Sequence, residues 1–425
     1  MKILEELHHP EKYFRIFFKW GLLGLLMGVL GGLLGAFFHH TLHFVTELRG
    51  EHTWLIFLLP LGGLLTVGLY RVFGMRNNRG TNEIIDAILN HEPVNPLVAP
   101  VIFIATAITH LFGGSAGREG AALQLGGSVA SKLGKLLRLK EEEQTVFIMS
   151  GMSAVFAGLF GTSLTATLFT MEFASVGTIF SPALLPCYLA AFTAGSVSAG
   201  LGVHAETFML EETVVFTAST NWRVLILALM IGVLGIAMCF LFHKAEHLMA
   251  KCFPNPWVRI LAGAVVVMAL TLMVGDHRYN GAGMDMALAA VEGNAKWYDF
   301  LLKLLFTAVT LSTGFKGGEI VPTFCIGATF GCALGGLLGL DPGIAAALGL
   351  VGLFCCVTNS PITALILSVE MFGSANLYLF AFVCVIAFVI SGNWGLYASQ
   401  IIQFSKARLV RKHLREPEDG QQRDV

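Results

Sequence analysis

Long stretches without a charged residue constrain this chain more than any other feature. Leu22 to Phe38 carries no charge. Its length approaches the ~20 residues needed to cross a ~30 Å hydrocarbon core. Trp54 to Tyr70, Val146 to Met171, Val224 to Phe242, Ile260 to Val274 and Leu377 to Ile390 behave similarly. Shorter apolar runs are cut by Gly or Pro: Leu97 to Phe112, Ala121 to Val129, Val321 to Leu340 and Pro361 to Val369. Backbone polar groups must be satisfied internally in lipid, so the expected form is an all-α integral membrane protein with many tilted and broken helices.

Composition agrees. Of 425 residues, 55% are hydrophobic and 13% charged, against about a quarter charged in soluble domains. Soluble enzyme, disordered chain and nucleic-acid binder are all poor fits. Lys+Arg is 27 and Asp+Glu is 28, so net charge gives no polyanion signal. The eight cysteines form no CxxC pair and most sit in apolar runs, so neither a disulfide framework nor a metal site is expected.

The ends suggest orientation. Residues 1–20 form an amphipathic segment with Lys12, Arg15 and Lys19, and no small-residue cleavage site. Residues 405–425 form a basic tail with Lys406, Arg408, Arg411, Lys412 and Arg415. Positive flanks favour the cytoplasm, so both termini are expected inside a plasma or inner membrane. Too few residues follow Arg415 for a soluble regulatory domain.

An internal repeat organises the chain. Gly28-Val-Leu-Gly31 leads to His39 and His43; Gly232-Val-Leu-Gly235 leads to His243 and His247, each shifted by 204 positions. Ser163 to Glu172 resembles Pro361 to Glu370, shifted by 198, and Gly117 to Ala121 aligns with Gly318 to Pro322, shifted by 201. A shared order at nearly one spacing points to duplication. The first repeat is placed at 21–205, a polar linker at 206–221 and the second repeat at 222–404. Repeats in a membrane protein suggest a site near the midplane where broken helices meet. The histidine pairs have the i, i+4 spacing of metal ligands, but no third ligand is suggested nearby. They read as interfacial side chains capping helices where an apolar run ends.

The chemistry concentrates at Gly-rich breaks. In Leu111 to Gly127 a helix is expected to start near Glu119 or Gly120. The first N–H groups of a helix lack intrahelical partners and carry the positive end of its dipole. Such an end binds an anion without a cation. A carboxylate there, at membrane depth, is expensive unless functional. Glu119 can occupy the anion's own place and leave on protonation, acting as gate and proton carrier; the bland alternative is a cap beside Arg118. At the second break, Ser312 to Phe324, Pro322 suits a first helical turn. Amides near Ile320 and Val321 can then face an ion opposite those of Gly120. Glu319 can gate, bind a cation or cap. In Asn78 to Asp86, Thr81 or Asn82 can cap a helix and lend a donor. Tyr397, near the end of the last apolar stretch, is either an anion donor or an interfacial anchor. Ser115 has no identifiable His/Asp partners, so no enzyme is expected.

Gly117-Arg-Glu-Gly-Ala121 resembles the Gly-Lys/Arg-Glu-Gly-Pro motif of the CLC family of chloride channels and anion/proton exchangers. Gly318-Glu-Ile-Val-Pro322 is similar to its Gly-Ile-Phe-Ala-Pro motif, and Asn78 to Asn82 sits where the family has Gly-Ser-Gly-Ile-Pro. Gly395-Leu-Tyr397 resembles the stretch with its central tyrosine. The resemblance implies a CLC-like inverted-repeat fold and a homodimer with one pore per subunit. It implies Glu119 as gating glutamate and amides near Gly120, Ile320 and Val321 with the Tyr397 hydroxyl as anion ligands; from their place beside the breaks, Arg118 and Glu319 are candidate accessory groups. No cofactor is implied; the partners are chloride or fluoride, protons and lipid.

Departures from the motifs bear on the ion. Ala121 replaces the proline, and Thr81 is the nearest hydroxyl to the usual anion-coordinating serine, where direct counting gives Arg79. Phe173 falls where many exchangers carry an internal glutamate, with Glu172 one residue earlier. Thr109 to Gly120 and the acidic Gly-Glu-Ile-Val-Pro variant resemble the family's fluoride/proton exchangers. Chloride and fluoride both remain open, as do coupled exchange and a passive channel.

Overall fold

The computed structural model describes residues 10–208, 210, 217–403 and 406. Arg408, Arg411, Lys412 and Arg415 of the basic tail, and residues 1–9, lie outside them.

Sixteen α-helices are present among the described residues. The first eight are α1 (Pro10–Glu51), α2 (Leu59–Val72), α3 (Thr81–Asn90), α4 (Val98–Leu111), α5 (Glu119–Leu136), α6 (Glu141–Phe160), α7 (Ser163–Glu172) and α8 (Leu184–Gly200). The rest are α9 (Ala218–Cys252), α10 (Pro256–Val274), α11 (Met284–Val291), α12 (Asp299–Ser312), α13 (Ile320–Leu338), α14 (Pro342–Thr358), α15 (Pro361–Phe372) and α16 (Leu377–Ile390). The second eight follow the first eight in order and in approximate length. Seven helices are long and apolar enough to cross a membrane, and four shorter apolar ones accompany them. Large apolar side chains stay exposed on the long helices, such as Leu22 on α1 and Val265 on α10. That surface suits lipid. The chain is a multi-pass membrane protein.

Helix α1 has 42 residues, which gives about 63 Å of length. That exceeds a bilayer of about 45 Å, so the helix must tilt. It begins at Pro10, ahead of position 21, because the segment with Arg15 and Lys19 continues the helix; Lys19 bonds Glu143 of α6 at 2.5 Å. The histidines do not cap helix ends. His39 and His43 lie inside α1, and His243 and His247 inside α9. Both helices continue past the histidines, to Glu51 and Cys252; in α1 the turn beyond them is held by Arg49, which donates to the His110 carbonyl at 2.8 Å. No group of three metal-ligating side chains occurs among the described residues.

Small residues let the central helices touch. A Cβ at Gly126 of α5 would lie 2.2 Å from the carbonyl oxygen of Gly151 on α6. In the other half, a Cβ at Gly327 of α13 would lie 2.4 Å from that of Gly349 on α14. Backbone cannot yield at such distances, so only glycine fits.

The halves meet across a local two-fold axis. Gly117 and Gly318 form an antiparallel bridge, each N–H donating to the other's carbonyl at 2.7 and 2.8 Å. Glu172 of α7 accepts from the amides of Ile362 and Thr363 and from the Thr363 hydroxyl. Glu370 of α15 does the same for Leu164, Thr165 and the Thr165 hydroxyl. Each glutamate thus satisfies the open N-terminus of its counterpart's helix. Self-complementary pairing of equivalent residues is what a two-fold axis produces.

Beyond α16 the chain turns back. A short parallel pairing joins β1 (Ser175–Val176) to β2 (Ile401–Ile402). Gln400 Nε2 donates to the carbonyls of Phe173 and Thr358 at 2.5 and 2.8 Å. Leu396 N–H donates to Val357 at 2.8 Å. These bonds fix Tyr397 beneath the centre of the molecule.

Candidate functional site

Helices α5 and α13 point their N-termini at each other across the Gly117–Gly318 bridge. The loop before α5 is held by polar contacts from α12. Ser115 N–H donates to Thr310 Oγ1 at 3.0 Å, and Ser115 Oγ lies 2.9 Å from Thr307 Oγ1. Lys303 is fully buried; its Nζ donates to Ser115 Oγ at 3.0 Å and to the carbonyls of Tyr279 and Gly281 at 3.1 and 2.7 Å. An uncompensated ammonium at this depth would be costly, so its three acceptors lock the loop. Sequence reading passed over Lys303, although it is the one charge in the apolar run Phe300 to Thr310.

Glu119 is the first residue of α5 and has no exposed surface. Its Oε2 accepts from the Arg118 amide at 3.1 Å and from the Val321 amide, in the first turn of α13, at 3.1 Å. Its Oε1 has no partner among the described residues. The carboxylate therefore sits on the free amides of the opposite helix, where a small anion would sit. It does not cap its own helix. The glycines make room: a Cβ at residue 117 would lie 2.3 Å from Glu119 Oε2. One at residue 318 would lie 2.7 Å from the Gly120 nitrogen.

Two cavities approach this partition. One, of about 440 Å3, is lined by Thr81, Gln124, Glu319, Tyr397 and, from α9, Phe242, His243 and Glu246. The other, of about 360 Å3, is lined by Arg118, Glu206, Val321 and, from α1, His43, Thr46 and Arg49. The C-terminal parts of α1 and α9 thus border opposite cavities, which places the two-fold axis in the membrane plane. Glu319 faces the first cavity and Val321 the second, with Glu119 between them.

In the first cavity the Tyr397 hydroxyl is buried and unpartnered among the described residues. Tyr397 is 5% exposed, so it is not an interfacial anchor. Its ring meets Phe173 edge-on, with centroids 5.9 Å apart. Thr81 is buried beside Gly120: a Cβ at 120 would lie 3.0 Å from Thr81 Oγ1. Neither Thr81 nor Asn82 caps α3. Gly80 holds that position without a side-chain bond, and Asn82 Oδ1 accepts from Ser399 N–H at 3.0 Å. Arg79 also lines this cavity, with its guanidinium paired to Asp86 at 2.5 Å. Glu319 does not cap α13 either; its Oε2 is buried without a partner among the described residues. Gln124, absent from the sequence expectations, donates to Gly120 O at 3.0 Å, and its Oε1 has no partner among the described residues.

Arg118 does not point at the carboxylate's free oxygen. Its guanidinium bonds Glu206 at 2.9 Å and His39 Nδ1 at 3.3 Å, over the Phe160 ring. The attraction at the partition comes chiefly from main-chain dipoles. Glu172, one residue before Phe173, is tied to α15, and Phe173 has no exposed surface.

Fold and site together define a multi-pass membrane transport protein in which half-membrane helices meet end to end around a buried carboxylate. Residues 62–392 match the Voltage_CLC model, described as voltage gated chloride channel, and the chain belongs to that family. The Chloride/fluoride channel protein of Pseudomonas syringae pv. tomato is 34% identical over 395 residues, 91% of this chain and 87% of that one. The crystal structure of a CLC-type fluoride/proton antiporter superposes with a TM-score of 0.87 at 37% identity, covering 90% of this chain and 98% of that one. A slow cyanobacterial Cl−/H+ antiporter shares the fold at a TM-score of 0.77 and 19% identity, over 88% and 94% of the two chains.

Proposed function

We propose that this chain exchanges a halide, fluoride or chloride, for protons across a membrane. The observation that carries the reading is the Glu119 carboxylate on the Val321 amide, buried between two cavities. Protonation neutralises Glu119 and weakens its hold on the α13 N-terminus. The amides of Gly120, Ile320 and Val321, with the hydroxyls of Thr81 and Tyr397, then receive the anion. On losing its proton to solvent the carboxylate returns and expels the ion. Glu319 adds a second carboxylate on one side, and Arg118 sits on the other. Bare main-chain donors hold the ion weakly enough for it to leave. Two relatives above a third identity, a chloride/fluoride channel protein and a fluoride/proton antiporter, support a halide cargo.

In this reading no cofactor or enzymatic chemistry takes part. The working unit is a homodimer in lipid with a separate path in each subunit. The first repeat spans residues 21–205, the second 222–404, joined by 206–221. The membrane is the cell's plasma or inner membrane. Both termini face the cytoplasm, which puts the Tyr397 cavity inside.

A passive anion channel is the second reading. It is favoured by the engagement of Glu172 in a helix cap and by the buried Phe173, which leave no carboxylate at the usual inner relay. Reconstituted liposomes separate the two. With an imposed fluoride or chloride gradient and pH recorded, exchange drives protons uphill. Passive flux without proton movement supports the channel.

A further inference from the structure

A third cavity, of about 390 Å3, lies between the last turn of α2 and the first turn of α10. Arg71, Arg76, Arg259 and Lys316 line it, and no Asp or Glu does. None of the four has a carboxylate partner among the described residues, although the chain carries slightly more acids than bases. Glu83, Glu246 and Glu319 act on the Lys316 charge from outside this cavity, but none of them lines it, and the three arginines gathered there repel one another, which favours an anion from outside. The Tyr70 hydroxyl adds a second sign: Tyr70 is 6% exposed, lines the cavity, and its oxygen is buried without a partner among the described residues. Lys316 Nζ stands 4.6 Å over the Tyr70 ring.

The lining is not polar throughout. Val67, Met75 and Trp257 give it an apolar wall, and Val72 beside it is 81% exposed. Arg71 lies in the last turn of α2 and Trp257 in the first turn of α10, so the cavity lies at the edge of the apolar layer. Arg76 and Lys316 also line the Tyr397 cavity, which puts both on one side of the membrane. Guanidinium forks match phosphate oxygens, and basic pockets between membrane helices suit anionic headgroups.

We propose that this cavity binds a phosphate group, with Arg71, Arg76, Arg259, Lys316 and the Tyr70 hydroxyl as its ligands. Two sources share that chemistry: the headgroup of an anionic lipid and free phosphate. The apolar wall and exposed Val72 suit a lipid.

The test uses the full chain in nanodiscs of phosphatidylcholine, with or without phosphatidylglycerol, read by native mass spectrometry. Inorganic phosphate is titrated in parallel, read by the unfolding temperature. Retention of phosphatidylglycerol over phosphatidylcholine assigns the site to lipid; saturable stabilisation by phosphate alone assigns it to the free ion. Either signal should weaken about thirtyfold in Arg71→Gln/Arg259→Gln and recover in Arg71→Lys/Arg259→Lys, which keeps the charge and reports correct folding. Arg71→Gln alone, at an exposed position, should weaken it partially. No preference for phosphatidylglycerol together with no effect of phosphate overturns the proposal. So does binding that the glutamine variants leave unchanged.

Discussion

The Glu119 side chain accepts a hydrogen bond from the main-chain amide of Val321 at 3.1 Å, across 202 positions of sequence. A charged acceptor on an open helix end explains why the carboxylate tolerates full burial. It also makes that helix end a shared berth for the carboxylate and an anion.

The close approach of the two helix ends should depend on Gly318. An added Cβ there meets the Gly120 and Glu119 nitrogens at 2.7 and 2.9 Å, and main chain cannot move aside. Gly318→Ala is expected to cost about 1–3 kcal/mol of stability and to reduce halide flux. Gly336→Ala, inside α13 with nothing within 4 Å, should leave both unchanged. Thermal unfolding and liposome efflux of the two variants check this.

Glu172 should behave as a structural cap. Glu172→Gln replaces one of two acceptor oxygens with an NH2 group, which then faces the donors of either Ile362 or Thr363, and should cost about 1–2 kcal/mol. Glu370→Gln should cost about the same, because it breaks the equivalent cap on α7. The ratio of protons to halide moved by folded protein should stay at its native value in both. A changed ratio in Glu172→Gln alone would place Glu172 on the proton route.

Tyr397→Phe removes a hydroxyl that has no partner among the described residues. The unfolding temperature should therefore hold. Halide binding should weaken by about 1.5–3 kcal/mol, the worth of one hydrogen bond to an ion. Calorimetric titration with fluoride and chloride measures it; an unchanged affinity takes Tyr397 out of the site.

The segments that cross the membrane and the breaks at Gly117 and Gly318 are legible in the sequence, because lipid imposes long apolar runs and glycine marks close backbone approach. Gly117–Ala121 and Gly318–Pro322 align without knowledge of the fold. What each glutamate bonds is not legible. Glu119 meets Val321, Glu172 meets Thr363 and Glu370 meets Thr165 over separations of 202, 191 and 205 positions. Local rules therefore assign Glu319 and Thr81 to capping roles they do not fill. The same limit hides the continuation of α1 past His39 and His43. A drop in hydropathy marks an interface only when lipid, and not protein, surrounds the next turn.

The most direct measurement is proton movement by Glu119→Gln in liposomes under an imposed halide gradient. The amide keeps the shape of the side chain but cannot carry a proton. Halide should still cross, and the uphill proton movement of the native protein should vanish. Protons pumped at the native ratio would contradict the assignment of Glu119 as the proton-carrying gate.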